Sequence, residues 1–409
     1  MTLRDYSDLT RSEAFEASEN EGRNPTANET LGEVIAARFG RRGFLKGALG
    51  VTAAAALLGS GALVAPRAAR AASAAAPHMN FTEIEHGVDE THHVAPGYSA
   101  DILIRWGDPV LKGAPEFDPA AQTAKAQLLQ FGYNNDFLGY LPIDGSSEHG
   151  LLCINHEYTS EEVMFPGVGI REDDFASLTL DQVDVEMAAH GASIVEVKKE
   201  GGKWTVVPES EFARRITAGT TYMKLSGPAA GHDLMKTSAD PTGTLVLGMV
   251  NNCAGGMTPW GTYITAEENF NGYFWGSGAD GHPYAKAYKR YGLPGGWYGW
   301  GRFYDRFNVN EEPNESHRFG WLVEIDPMDP KAMPVKHTAL GRLKHEGASI
   351  VVNGDGRVVV YTGDDERFDY VYRFVSAGTY KAGDKAANMQ LLDEGTLSVA
   401  RFNEDGSLE

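Results

Sequence analysis

The sequence predicts an all-β fold, a β-propeller that carries a few inserted helices. Glycine supplies 48 of the 409 residues, and short strands joined by tight turns need glycine at this frequency. Much of the chain consists of short alternating or apolar runs that end at Gly, Asn, Asp or Pro. The run HGASIVEV, from His190, returns as HEGASIVV, from His345, and each copy opens a predicted hairpin. Repeated antiparallel units favour a propeller over the alternative, a β-sandwich or mixed all-β domain.

The first 76 residues are predicted to be a twin-arginine signal peptide and flexible leader. Arg41 and Arg42 stand just ahead of Phe44 in GRRGFLKG, an Ala-rich run follows, and ARAASAAAP then offers small residues for cleavage. This order is typical of a twin-arginine export signal, and the alternative is a chance arginine pair before an Ala-rich linker. Residues 77–409 then form the mature domain. We expect a periplasmic or extracellular protein that has the twin-arginine translocation machinery as a partner.

The charge of the chain limits its partners. Its formal net charge is −20, so we expect neither nucleic acid nor an anionic membrane surface as a partner. An acidic protein can still bind an anionic substrate where bound cations reverse the local field. Carboxylates are the ligands that hold hard metal ions.

The secondary structure is predicted from periodicity and turn residues. Helices are expected at 118–131 and 179–191. Hairpins are expected at 192–207, turning at Gly201-Gly202, and at 347–365, turning at 353–356. Further strands are predicted at 243–250, 261–269 and 320–327. The last residues resemble a strand and its turn, and we expect further strands to follow them.

Four polar motifs stand where predicted strands end. In a propeller, such strand ends gather around the central channel, so carboxylates far apart in sequence can share one pocket. The motifs are INHEYT (154–159), NNCAGGMTPWGTYITAEEN (251–269), LKHEGAS (343–349) and YTGDDERFDYVYRF (361–374).

Cys253 lies in the second of these motifs and is one of two cysteines in the chain. The other, Cys153, lies in the apolar run GLLCINHEY, which indicates a small core residue rather than a disulfide partner. Cys253 has no second cysteine at CxxC spacing. As a ligand it would be a single thiolate among oxygens, where the thiolate favours a transition metal such as iron and the carboxylates favour iron(III) or calcium. The alternative is a buried, inert thiol in a glycine-rich turn.

Other polar residues leave alternatives open. Strand alternation allows only one of Glu267 and Glu268 to face inward, so the other is expected to face solvent. His156 and His345 each stand beside a glutamate and are either hydrogen-bonded structural residues or ligands. The GDDER sequence could be an exposed acidic turn. The aromatic-rich loop at 295–307, with two arginines, could line an anion pocket or cover a blade.

Taken in order, the motifs RRGFLK, NHEYT, NNCAGGMTPWGTYITAEEN, GRLKHEGAS and YTGDDERFDYVYRFV resemble the PhoX-type alkaline phosphatases, a family of secreted bacterial phosphatases. The resemblance runs from about residue 80 to the end. It implies a six-bladed propeller with iron and calcium ions in its channel. Ala266 stands where members often have a cysteine. Members continue well past residue 409, so the resemblance also implies that the propeller is incomplete here at its C-terminus.

The resemblance also implies roles for individual residues. Cys253 and Glu346 would bind iron (Fe³⁺) and carry catalysis, while Glu268 and Asp365 would bind calcium (Ca²⁺). The two remaining metal-site residues come from the NHEY motif: Asn155 and Glu157.

The implied activity is that of a secreted alkaline phosphatase, a phosphoric monoester hydrolase acting on small phosphate esters. The iron/calcium cluster would hold the ester, and a metal-bound oxygen would serve as the nucleophile. We expect a monomer. Two alternatives stay open: a secreted calcium-stabilised propeller that binds a ligand without catalysis, and a phytase-like or lactonase-like metal hydrolase.

Overall fold

The computed structural model describes residues 82, 84–85, 87–88, 90–171, 174–278, 284–403 and 407. The chain divides into two units, Met1–Pro96 and Gly97–Glu409, and the fold below is that of the second. The described residues of the first unit form no helix or strand. The predicted leader, with its twin-arginine motif and its end at residue 76, lies outside the described residues. Where the structure describes the chain, it has no helix of the length and apolarity that a bilayer span requires.

Strands dominate the described part of the second unit. In chain order they are β1 Asn135–Pro142, β2 His149–His156, β3 Gly191–Glu200, β4 Lys203–Val206, β5 Arg214–Ile216, β6 Tyr222–Ser226, β7 Leu245–Leu247, β8 Asn252–Met257, β9 Tyr263–Glu267, β10 Leu322–Ile325, β11 Val335–His337, β12 Ser349–Val352, β13 Arg357–Gly363, β14 Val371–Thr379 and β15 Gly395–Val399. The α-helices are short: α1 Ala124–Gln127, α2 Glu161–Met164, α3 Leu180–Ala189, α4 Ala285–Tyr291 and α5 Lys385–Met389.

These strands form three sheets among the described residues. The first has the order β1-β2-β3-β4 with β5 also beside β3, the second β7-β6-β11-β10-β9-β8, and the third β12-β13-β14-β15. Neighbouring strands are antiparallel except β6 and β11, which are parallel. The predicted all-β, propeller-type fold with a few inserted helices is therefore confirmed, while the number of blades stays a prediction.

Both predicted hairpins are present. β3 and β4 pair around Gly201-Gly202, and β12 and β13 pair around residues 353–356. The helix predicted at 179–191 is α3. Thr179 caps it, because its hydroxyl accepts from the Gln182 amide while the Gln182 side chain accepts from the Thr179 amide.

The helix predicted at 118–131 is much shorter than expected. The Asp118 carboxylate accepts a hydrogen bond from the Ala120 amide at 2.9 Å, a local bond that competes with helix formation. α1 begins only after Thr123, whose hydroxyl accepts from the Ala126 amide. It ends before Gln130, which pairs with Pro109 in an isolated bridge.

The stretch around Cys253 is a strand, and the predicted glycine-rich turn is wrong. The β8–β9 pairing passes from Asn252 opposite Glu267 to Gly255 opposite Thr265. β8 therefore carries one extra residue, a β-bulge. A Cβ atom on Gly255 would lie 2.2 Å from a backbone oxygen of β9. The glycine serves close backbone packing rather than a turn.

Part of the aromatic loop at 295–307 packs into the core, while Trp297 and Phe303 are exposed. Tyr298, Trp300 and Phe307 are buried, and the Trp300 indole donates to the buried Glu186 carboxylate at 3.0 Å. These three side chains belong to the core, and the expected anion binding by the two arginines of the loop stays a prediction. The interpretation of Cys153 as a core residue is confirmed, since it is fully buried and both cysteines are free.

His337, at the end of β11, joins the second sheet to the turn before β15. Its imidazole is buried, with Nε2 2.9 Å from Glu324 and Nδ1 2.8 Å from Asp393. Burial favours the neutral imidazole, but the hydrogen bonds to the two carboxylates outweigh it and raise the pKa of His337 to about 9.

This histidine makes stability depend on pH. Because its pKa is higher in the folded chain, its stabilising effect is complete below pH ~6.5 and is lost as the pH rises towards ~9. We expect wild type to have a higher free energy of unfolding than His337→Gln in urea denaturation. This difference should shrink by about 2 kcal/mol from pH ~6.5 to ~9.5. A difference that is equal at both pH values would contradict this role for the charged imidazole.

Candidate functional site

Three side chains converge where the first and second sheets meet. One ligand atom from each of Asp136, Glu157 and Cys253 lies within 4.8 Å of the other two. The Cys253 Sγ lies 3.7 Å from Asp136 Oδ2, and all three residues are half-buried. A thiol and two carboxylates at this spacing have the chemistry and geometry of a metal-ligand set.

Two β-bulges orient two of these side chains, Asp136 and Cys253. The β1–β2 pairing shifts between Asn135 and Leu138, so Asp136 sits in a bulge of β1 as Cys253 sits in that of β8. Bulges redirect side chains and are common beside functional sites. Glu157 follows β2 directly, and its amide donates to the Asn134 carbonyl at 3.1 Å. Asp136 was not predicted, although the Asn-Asn-Asp run at this strand start was a usable signal.

Three further predicted acids border this group. Glu268, which is buried, hydrogen-bonds with both Asp365 and Cys253. Asp365 is exposed and accepts from the Asn269 side chain at 3.0 Å. Glu346 is exposed and lies near enough to Glu157 to act on its charge.

The fold therefore brings the four polar motifs together, as the sequence predicted. We call Asp136, Glu157, Cys253, Glu268, Glu346 and Asp365 the acid cluster. The metal and catalytic roles assigned to its members stay predictions.

Asn155 lies beneath the cluster. It is fully buried, and its Nδ2 donates to the backbone carbonyls of Cys253 and Ala254, the latter at 3.1 Å. Its Oδ1 accepts from the Tyr263 hydroxyl. The structure thus places this amide as a support for the β8 bulge, and its predicted role as a metal ligand stays a prediction.

The acid cluster is electrostatically strained without cations. Burial and then the charge of Asp136 raise the pKa of Glu157 to about 7. Burial, then Asp365 and Glu157, raise the pKa of Glu268 to about 9. Burial and the neighbouring acids raise the pKa of the Cys253 thiol. None of the ion pairs among the described residues involves a carboxylate of the cluster. Bound cations would relieve this repulsion, so the residues fit iron and calcium.

Both glutamates of the AEEN sequence are buried, so the expectation that one faces solvent is wrong. Glu267 turns away from the cluster and pairs with Lys336 at 2.8 Å, both side chains being fully buried. It also accepts from the Gly320 and Trp321 amides, each at 3.2 Å. Because β9 ends at Glu267, Glu268 lies outside the strand alternation.

The two histidines beside glutamates are structural, one of the alternatives that the sequence left open. His156 is buried, with Nε2 2.7 Å from the Ser193 hydroxyl. His345 is buried, with Nδ1 2.9 Å from the Thr362 hydroxyl. Burial lowers the pKa of His345 to about 4, so a neutral imidazole links the third sheet to the loop that carries Glu346.

The acidic residues of the GDDER sequence have two different roles. Asp364 pairs with Arg290 at 3.1 Å, with its side chain inaccessible to solvent. Glu366 accepts from Lys344 at 2.5 Å. Only Asp365, between them, joins the acid cluster, so the sequence is more than an exposed acidic turn.

Comparison with known proteins gives one family. Residues 79–409 match the family described as Alkaline phosphatase PhoX. A solved structure, Pseudomonas fluorescens PhoX in complex with vanadate, a transition state analogue, is 44% identical with a TM-score of 0.73. The match covers 79% of this chain and 55% of that one, so the chain spans about half the length of this relative. No curated protein matches the chain.

Proposed function

Because the chain belongs to the alkaline phosphatase PhoX family, we propose that it hydrolyses phosphate monoesters at the acid cluster. The observation that carries the proposal is the convergence of Asp136, Glu157 and Cys253, with three more acids beside them. The similar Pseudomonas protein binds vanadate, an analogue of the transition state. The proposed substrates are small phosphate esters, and the proposed unit is a monomer.

The proposed cofactors are iron and calcium. Cys253 and Glu346 would hold iron(III), and Glu268 and Asp365 would hold calcium, with Glu157 and Asp136 beside them. When bound, the cations would attract the anionic ester and neutralise the charge that builds up in the transition state. This accounts for an anionic substrate in a chain of net charge −20.

Side chains in and around the acid cluster set its shape and determine which of its groups holds a proton. Asn155 supports the Cys253 backbone from below, and Asn269 holds Asp365 beside Glu268. Because Glu268 has a pKa raised to about 9, its carboxyl holds a proton, which it shares with Asp365, at neutral pH. That proton must leave when a cation binds.

Cation binding is therefore expected to release protons. At pH ~8 we expect about one proton per protein molecule, chiefly from Glu268, and fewer above pH ~9.5. Calorimetric titration of chelator-treated protein with Ca²⁺, in buffers of different ionisation enthalpy, measures the number. Heats that do not depend on the buffer would contradict the raised pKa of Glu268.

The activity itself is tested with p-nitrophenyl phosphate and elemental analysis of the same preparation. We expect turnover from protein that holds iron and calcium, loss after chelation, and recovery when both metals return. Protein that holds calcium alone, with no turnover, would favour the alternative of a ligand-binding propeller.

The proposed location is the periplasm or the cell exterior. It rests on the twin-arginine motif of Arg41 and Arg42 within the leader at 1–76. A reporter fused to this leader should be exported, and replacing both arginines by lysine should keep it in the cytoplasm. Export of the double-lysine variant at the wild-type level would contradict the proposal.

A further inference from the structure

Asn251 connects the strand that carries Cys253 to the segment that carries Glu268. It lies between β7 and β8, two residues before Cys253, and is almost fully buried. Its φ angle is +50°, in the left-handed region, which asparagine adopts more readily than other residues with a side chain.

The polar atoms of Asn251 form hydrogen bonds on two sides of the residue. On one side its Oδ1 accepts from the Asn269 amide at 2.6 Å, and its carbonyl accepts from the Glu268 amide at 2.9 Å. Asn269 in turn donates its side-chain amide to Asp365 at 3.0 Å. One asparagine therefore fixes the backbone that carries Glu268 and, through Asn269, the carboxylate of Asp365.

On the other side Asn251 bonds a buried tyrosine that lies beside Glu157. Its Nδ2 donates to the Tyr273 hydroxyl at 3.3 Å, and that hydroxyl lies 3.2 Å from the Glu157 carbonyl. Tyr273 is fully buried. Its hydroxyl also lies 2.9 Å from His190 Nε2, while His190 Nδ1 bonds the Glu186 carbonyl at 2.7 Å. Because a neutral His190 that donates from Nδ1 accepts at Nε2, the Tyr273 hydroxyl gives its single proton to His190 and only lies beside the Glu157 carbonyl. The tyrosine oxygen, held in this way, accepts from the Asn251 amide and anchors it.

We propose that Asn251 is a positioning residue for the cation site. With Tyr273 anchoring its amide, Asn251 holds the Glu268–Asp365 pair at the spacing that cations need, although neither Asn251 nor Tyr273 would touch a cation. This inference rests on the proposed function, because it assumes that the acid cluster holds cations. Outer groups that orient ligands commonly change metal affinity by about 10–100-fold.

Two variants separate this role from simple structural support. Asn251→Gly removes the side chain and keeps a residue that adopts positive φ freely. Tyr273→Phe removes only the hydroxyl. Asn388→Ala is the matched control, because Asn388 is also buried and its side chain makes two backbone hydrogen bonds, with Lys381 N at 2.9 Å and Lys381 O at 2.7 Å. The readouts are calorimetric Ca²⁺ affinity, iron content, thermal midpoint of the cation-free chain, and kcat and KM.

We expect Ca²⁺ affinity and iron content to fall in Asn251→Gly and Tyr273→Phe, the affinity by about 10-fold or more. Asn388→Ala should lower the thermal midpoint with cation affinity unchanged. Wild-type affinity in both site variants would overturn the inference, as would equal affinity losses in all three. Wild-type protein that binds cations but hydrolyses no ester would refute the proposed function alone, since the affinity comparison still decides the role of Asn251.

Discussion

Replacing Cys253 by serine is expected to remove iron and to lower phosphatase turnover by about 100-fold or more, since a hydroxyl replaces the soft thiolate ligand. The substitution is nearly isosteric at a half-buried position, so the fold should be retained. Iron content and p-nitrophenyl phosphate turnover on one preparation provide the measurement.

The matched control is the other cysteine. Cys153→Ala changes a free thiol that is fully buried in β2, so it should cost stability, on the order of 1 kcal/mol, and leave iron and turnover unchanged. Full activity in Cys253→Ser would reject the role assigned to this thiol. Equal losses in the two variants would point to damage of the fold instead.

Neutralising Glu267 is expected to destabilise the chain far more than neutralising its neighbour. Glu267→Gln leaves Lys336 without its charged partner at a fully buried site. Such a change costs roughly 3–5 kcal/mol. Glu268→Gln should leave the cation-free chain within about 1 kcal/mol of wild type, because Gln resembles the protonated carboxyl that a raised pKa favours. It should nevertheless abolish calcium binding and turnover.

Urea denaturation of the cation-free proteins measures this contrast. The double variant Glu267→Gln/Lys336→Met should recover much of the loss, since both buried charges are then gone. If Glu268→Gln were more destabilising than Glu267→Gln, the structural role assigned to Glu267 and the cation-binding role assigned to Glu268 would be wrong.

The outline of the site could be predicted because its residues lie at or next to the ends of strands. Glu157 and Glu268 come directly after β2 and β9, and Glu346 and Asp365 flank β12 and β13. Hydrophobic alternation marks where strands stop, and a sheet-built fold gathers such ends.

What could not be predicted depends on register and on distant partners. Asp136 enters the cluster through a bulge, and a single extra residue in a ladder leaves no clear trace in a hydrophobic pattern. Glu267 is buried because Lys336, far along the chain, accompanies it. The Gly255 backbone lies against β9. In the sequence, a glycine that permits such close packing cannot be distinguished from a glycine in a turn. Each of these required the pairing of strands to be known.

The most direct test is an anomalous-difference map at the iron absorption edge, from crystals of the metal-loaded protein. We expect a peak at bonding distance from Cys253 Sγ, among the carboxylates of Asp136, Glu157 and Glu346. A metal-loaded crystal with no peak there, or with its iron at a site away from Cys253, would contradict it.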